Sequence, residues 1–263
     1  MEEVMKGILV REVETKNIMT KSSLPVGGYS VNPYVGCTHA CKYCYASFMK
    51  RFTGHKEEWG TFLDVKHWPE IKNPKKYAGQ RVVIGSVTDG YNPQEEQFGN
   101  TRKLLEQLIG SDADILICTK SDLVVRDIDL LKKLGRVTVS WSINTLDENF
   151  KNDMDSASSI EHRIAAMKQV YEAGIRTVCF VSPVFPGITD FEAIFERVKD
   201  QCDLFWLENL NLRGDFKKTI MDYIAGKYPD LVPLYDEIYN KHNRSYFEAL
   251  EVKAEKMAKK YDL

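Results

Sequence analysis

The sequence predicts an α/β fold, a partial (β/α)6 TIM-like barrel with an N-terminal extension and C-terminal helices. Three observations lead there. Short, nearly continuous apolar runs rich in β-branched residues occur at 82–87, 115–119, 137–142, 177–183 and 204–207, as expected of parallel strands covered on both faces. Stretches of helical period separate these runs, the rhythm of repeated strand-helix units. A further run at 29–35 brings the units to six, and right-handed crossovers would curl such a series into a barrel or part of one. A doubly wound open sheet gives the same pattern, and in both architectures functional loops lie at the carboxyl ends of the strands.

The elements follow in order. Residues 1–28 form an extension; its first nine mix glutamates and a lysine with apolar residues, which is not the basic-then-apolar order of a signal peptide. The barrel domain spans 29–213. Within it, 50–76 breaks the rhythm with Phe52, Trp59, Phe62 and Trp68 and reads as an insertion or lid. Helices are expected near 101–109, 128–134, 160–173 and 191–199. The clearest is 160–173, where Ile160, Ile164, Met167, Val170 and Tyr171 recur at helical spacing and Gly174 supplies the stop. Residues 214–263 read as two outer helices, the last bearing Lys253, Lys256, Lys259 and Lys260 on a solvated face.

Composition narrows the function. With 263 residues, 43% of them hydrophobic, the chain can fill a sizeable core, which excludes disorder, collagen and a disulfide-stapled miniprotein. Thirty-six basic against 38 acidic residues leave a net charge of −2 and no global field for nucleic acid or an anionic membrane. No apolar run reaches the roughly 18 residues that a spanning helix needs, so a soluble, cytoplasmic protein is expected. Of six cysteines, Cys37, Cys41 and Cys44 cluster, whereas Cys118, Cys179 and Cys202 stand singly in apolar stretches. That is metal-ligand arithmetic and not a disulfide framework.

The informative string is NPYVGCTHACKYCYA, residues 32–46, whose cysteine spacings of four and three let one loop wrap three thiolates around a metal centre. A structural zinc wants a closed tetrahedral shell and would have to recruit His39, His55 or a distant cysteine. A four-iron cluster on three thiolates instead keeps one iron free for a substrate or cofactor. His39, inside the loop, either tunes such a centre or covers it. His55, Trp59, His67 and Trp68, with Lys50, Lys56, Lys66, Lys72, Lys75 and Lys76 nearby, form a basic aromatic stretch that either stacks bases and neutralises phosphates or packs as a lid.

Cys-x3-Cys-x2-Cys with an aromatic residue before the last cysteine resembles the signature of the radical S-adenosylmethionine (radical SAM) superfamily. The wider string, with SVTDGYNPQE, CTKSDLVVRD and PVFPGITD, looks like the branch that includes spore photoproduct lyase, and the likeness is strongest to the radical SAM mobile pair protein B group. It covers residues 5 to 215. What the resemblance implies is a full or partial (β/α) barrel, a 4Fe-4S cluster on Cys37, Cys41 and Cys44, and reductive cleavage of S-adenosylmethionine to a 5′-deoxyadenosyl radical that abstracts hydrogen from a substrate. It also implies an electron donor such as flavodoxin or ferredoxin, and a sister radical enzyme as partner.

By the same likeness, Tyr43 lies beside the adenine, and Ser86, Thr88 and Asp89 grip the cofactor's amino group. Lys120 reaches its carboxylate or ribose, Ser142 and Asn144 bond the ribose hydroxyls, and Arg163 pairs with the carboxylate. The lyase returns hydrogen through a cysteine whose matching position here is Val87, and two tyrosines that assist it match Tyr43 and Tyr45. Val87 has no labile hydrogen, which argues against thymine-dimer repair. Strand alternation puts Cys118 on the same face as Lys120, so Cys118 and Tyr45 become the candidate catalytic residues. Glu208, Asn209, Asn211 and Arg213, after the last strand, would face the substrate. Two further readings are kept: a nucleic-acid repair or modification lyase using the same radical, and a non-catalytic iron-sulfur or zinc-binding module.

Overall fold

The structure is a computed structural model that describes residues 2–5, 7–22, 27–214 and 216–261. Its strands are β1 (Glu2–Met5), β2 (Ile8–Glu14), β3 (Thr20–Lys21), β4 (Tyr29–Val31), β5 (Tyr34–Val35), β6 (Phe62–His67), β7 (Arg81–Ile84), β8 (Asp114–Thr119), β9 (Arg136–Ser142), β10 (Arg176–Val184) and β11 (Leu204–Asn209). The larger sheet has the order β11-β10-β9-β8-β7-β4-β3. From β4 to β11 its neighbours are parallel and follow chain order; β3 adds an antiparallel edge. A doubly wound sheet reverses its strand order at a switch point, and this one does not, which decides for the partial (β/α)6 barrel. The two edge strands are not neighbours, so the barrel stays open on one side.

The run at 29–35 is two strands. Pro33 lacks the N–H that a central strand must donate, and after it the chain leaves the barrel to pair with β6 in a second sheet of order β1-β2-β6-β5. The stretch 50–76, expected as an insertion or lid, supplies that central strand β6, parallel to β2 of the N-terminal extension. Val10, Tyr34, Leu63 and Val65 form a small core for this sheet. The cysteine loop therefore begins where the two sheets part.

Helices Asn100–Leu108, Ile160–Glu172 and Phe191–Val198 cover the outer face of the barrel. Ser159 and Asp190 cap the last two by accepting from the backbone N–H of His162 and Ala193. The helix expected at 128–134 is a single turn, Ile128–Leu131, entered through a 3-10 stretch. Ile117, Val139, Trp141, Cys179 and Val181 point outward into the main core with Ile164, Met167 and Val170. The tail holds three helices, not two: Phe216–Lys227, Val232–Tyr239 and Ser245–Tyr261. Pro229 and Pro233 end and restart the helical run, and Ile220, Ile224 and Tyr235 are fully buried against the core. No helix among the described residues is long and apolar enough to cross a membrane.

Candidate functional site

The loop 36–44 is held in shape by backbone geometry that few sequences tolerate. Gly36 has φ +86°, and a Cβ there would lie 2.4 Å from the Phe62 carbonyl oxygen, so only glycine fits. Gly60 packs against Ala40 so closely that a side chain would meet its Cβ at 2.6 Å. Turns fold the loop inward: the Ala40 N–H donates to Cys37 O (3.2 Å) and the Cys44 N–H to Cys41 O (3.1 Å). The Lys42 N–H donates to Met154 O (2.9 Å) and the Ser156 N–H to His39 O (2.7 Å), tying the loop to the segment after β9. Thr88, at the end of β7, donates its hydroxyl to the Gly36 carbonyl.

These constraints gather three reduced cysteines. Burial, reinforced by Asp89 and by Cys44, pushes the Cys37 thiol up to about 12. Burial likewise drives Cys41 well above its ordinary range; Lys120 opposes this, while Asp155, Cys44 and Cys37 add to it. The thiols thus feel one another's charge. They do not converge on one point: among the described residues no three His, Cys, Asp or Glu side chains are arranged as ligands of a single ion.

Beside the loop, strand register defines a concave face. Cys118 aligns with Ser140, Ser140 with Val178 and Val178 with Leu204. Two residues on along each strand come Lys120, Ser142, Phe180 and Trp206, the last two aligned and in edge contact at 5.9 Å. None of these belongs to the helix-covered core, so this face lines the barrel's interior. The Ser140 hydroxyl and the Asn144 amide nitrogen are buried there without a partner. Lys120 leans over the Tyr43 ring, its Nζ 5.6 Å from the centroid. Tyr45 donates its hydroxyl to the Ser86 carbonyl. Burial of that end, with Cys44, Cys118 and Glu208 nearby, raises the phenol to about 12.

The profile of the Radical SAM superfamily matches residues 31–198. The chain belongs to the radical SAM superfamily. An uncharacterized protein of Methanocaldococcus jannaschii is 36% identical over 236 residues, covering 89% of this chain and 88% of that one. A Pseudomonas phage M6 protein named radical SAM Nalpha-GlyT isomerase is 26% identical over 199 residues, 73% of this chain but 39% of the phage protein. Among solved structures, a spore photoproduct lyase variant with bound AdoMet and dinucleoside spore photoproduct aligns with TM-score 0.63 at 19% identity, over 84% of this chain. The chain spans 66% of that lyase, just under two thirds. That likeness is one of fold.

Radical SAM membership carries a 4Fe-4S cluster and S-adenosylmethionine as cofactors. The donor set suits them. Three free cysteines in one loop, Cys37 buried and Cys41 and Cys44 half-buried, are the soft donors that a four-iron cluster takes. The unpartnered Ser140 hydroxyl and Asn144 amide, with the Lys120 ammonium over Tyr43, suit a ligand rich in hydroxyl, amine and carboxylate groups.

The residues expected to hold S-adenosylmethionine divide into two groups. Lys120, Ser142 and Asn144 lie on or just after the concave face with polar atoms to offer. Four others are engaged inside the protein. Ser86 bonds Ser30 and Asn32, and Thr88 holds Gly36. Asp89 accepts from the N–H of Lys120 (2.7 Å) and of Tyr91 (2.9 Å) and from the Thr119 hydroxyl (2.9 Å). His39 Nε2 lies 3.1 Å from the same carboxylate. Arg163, wholly buried, donates to Asp155 (2.7 Å), Ser158 O (2.8 Å) and Ser142 O (3.2 Å). Asp89 ties the cysteine loop to β8, and Arg163 ties the end of β9 to the segment that braces it. Tyr43 is buried, its hydroxyl 3.2 Å from Asp155.

In the basic aromatic stretch the rings are engaged with the fold, whereas Lys56, Lys72, Lys75 and Lys76 are exposed. The His55 ring is buried between Asp64 (2.8 Å) and Glu57 (2.9 Å), Trp68 donates to Gln107, and His67 pairs with Glu12. Next to the cysteine loop, Tyr45, Phe48 and Phe52 are the exposed aromatics among the described residues, at 58%, 40% and 70%. They sit on the 3-10 helix Tyr45–Phe52 directly after Cys44. Sequence reasoning passed over Phe48 and also missed Ser140 and Asp155; only register and distant pairing single those two out. Glu208 and Asn209, expected after the last strand, lie within β11, where Glu208 accepts from Ser182 (2.6 Å); beyond it Arg213 donates to Asn211 (2.8 Å).

Proposed function

We propose that this chain is a redox-dependent radical SAM enzyme whose cluster sits on Cys37, Cys41 and Cys44 and whose substrate enters the open side of the barrel. The observation that carries this is the placement of three sequestered thiols at the mouth of a concave face lined by Cys118, Lys120, Ser140, Ser142 and Phe180. When bound, the cofactor pair supplies a 5′-deoxyadenosyl radical that removes a hydrogen atom from substrate carbon. The chain's own part is to orient and enclose. Lys120 would pair with the cofactor carboxylate, Ser140, Ser142 and Asn144 with its polar groups, and Tyr43 would border the adenine, while Asp89, Thr88 and Arg163 keep the loop in place. Electrons would come from a flavodoxin- or ferredoxin-type donor. Anaerobic reconstitution of the C37A/C41A/C44A variant tests the ligand set: iron and sulfide should be lost, and a variant that keeps its cluster would overturn it.

Cys118 is proposed as the hydrogen-atom donor that quenches the substrate radical, with Tyr45 beside it; the thiyl radical left on Cys118 would return to the thiol by taking one electron from the flavodoxin- or ferredoxin-type donor and one proton. Burial holds its thiol up at about 12, so at neutral pH the sulfur keeps the hydrogen it would give. The phage relative is named an isomerase, a reaction class in which an abstracted hydrogen is returned.

A second reading, that the substrate carries a nucleobase, is favoured by one specific observation. Tyr45, Phe48 and Phe52 stand exposed at the rim, and Arg51 lies 5.5 Å and 5.6 Å from the two phenylalanine centroids. Aromatic faces backed by a guanidinium are the chemistry that stacks unpaired bases. Oligonucleotide binding that is unchanged in F48A/F52A would remove this reading and leave the radical chemistry standing.

A further inference from the structure

Phe180 and Trp206 meet across β10 and β11 on the concave side of the larger sheet, their ring centroids 5.9 Å apart. Both are half-buried, and the neighbouring Phe205 and Leu207 turn the other way, into the helix-covered core. Two residues further along the same faces stand Ser182 and Glu208, and the Ser182 hydroxyl donates to Glu208 Oε2 at 2.6 Å. Between Val181 and Val184 the register of β10 against β11 slips by one residue, the kind of irregularity that re-aims side chains next to functional sites. Glu208 is exposed, and no cation pairs with it among the described residues; Arg213, close by in the chain, donates to Asn211 instead. β11 is an end strand of the sheet, so this carboxylate and the two rings border the open side of the barrel. Lys120 stands on the other flank, over the Tyr43 ring beside the cysteine loop. The concave face thus offers a cation at its cysteine-loop end and an anion at its entrance.

We propose that Glu208, with the Phe180–Trp206 pair beneath it, is a subsite for a protonated amine, and that the substrate carries one. A carboxylate accepts the N–H donors of an ammonium group in charge-assisted hydrogen bonds, and aromatic faces, tryptophan above all, attract the same cation. Ser182 engages one carboxylate oxygen and fixes its direction, which leaves the other oxygen for the ligand. A phosphate or carboxylate would be repelled from the same place. The inference deepens the radical SAM reading and rests on it for where the substrate lies. Glu208 is on this view a specificity-determining residue that touches substrate away from the reacting atoms.

The test uses reconstituted protein with S-adenosylmethionine bound and no reductant, labelled with 5-fluorotryptophan. The chain has four tryptophans, and Trp206→Phe identifies the fluorine signal of Trp206. At neutral pH the protein is titrated with benzylammonium, benzyl alcohol and benzoate, which share a ring and differ in charge. Benzylammonium should shift the Trp206 signal saturably, with a Kd about tenfold below that of benzyl alcohol, and benzoate should bind most weakly. Glu208→Gln should erase that advantage while iron content and the other tryptophan signals stay as in wild type. No saturable shift with benzylammonium, equal binding of the three probes, or an advantage that persists in Glu208→Gln overturns the proposal. Should Glu208→Gln fold poorly, the order of the three probes on wild type decides. Wild-type protein that loads no cluster, or releases no 5′-deoxyadenosine on reduction, refutes the underlying reading instead; protein that does both and shows no amine preference sinks this inference alone.

Discussion

Single atoms decide whether the cysteine loop can exist. Gly36→Ala places a methyl group 2.4 Å from the Phe62 carbonyl at φ +86°, so the variant should fold with the loop displaced and retain well under half the wild-type iron after reconstitution. Asp155 is nearly inaccessible and its Arg163 partner fully so. Asp155→Ala strands that guanidinium and should cost about 3–5 kcal/mol in urea unfolding of the apoprotein. Burial pushes the Asp155 carboxyl up, but Arg163, Lys120 and Lys151 outweigh it and hold the pKa below 3.8. Asp89, opposed by the same burial, is held low by His39 and two backbone N–H groups. A carboxylate whose folded pKa is depressed stabilises above its unfolded value and loses that contribution as pH falls through the folded one. Apoprotein stability should therefore be insensitive to these groups near neutral pH and drop steeply as pH falls below about 4, measured by thermal melts across pH 2–7.

At the level of elements, the second sheet serves the site as a scaffold. β6 carries Phe62 against Gly36, and its Leu63 is fully buried in a core of only a few side chains. Leu63→Ala should lower apoprotein stability by about 2–5 kcal/mol and, because β6 braces the loop, should also weaken cluster retention, read as iron content after gel filtration. The sequence disclosed the barrel strands because each is an unbroken apolar run between helical stretches, and it disclosed the three cysteines because their spacing is compact. β6 stayed hidden, since FLDVKH alternates apolar and polar residues only briefly and its partner β2 lies more than fifty residues earlier. The roles of Asp89 and Arg163 were hidden for a related reason. Sequence position puts them near the strand ends where cofactor ligands belong, and only the folded pairing brings Thr119, Lys120 and His39 to Asp89 and Asp155 to Arg163.

The whole molecule is a barrel left open, with the cysteine loop beginning where its two sheets part and an aromatic rim directly after Cys44. With a net charge of −2, it has no overall field to recruit a polyanion, so any nucleobase-bearing substrate must be held at the rim. F48A/F52A should then weaken oligonucleotide binding by about 1–3 kcal/mol per stacked base, as measured by fluorescence anisotropy. Whatever the substrate, the account stands on reductive cleavage of S-adenosylmethionine at a cluster bound by Cys37, Cys41 and Cys44. Anaerobically reconstituted protein, reduced with dithionite and supplied with S-adenosylmethionine, should release 5′-deoxyadenosine and methionine, and the C37A/C41A/C44A variant should release neither; a fully loaded wild-type cluster that yields no 5′-deoxyadenosine would contradict it.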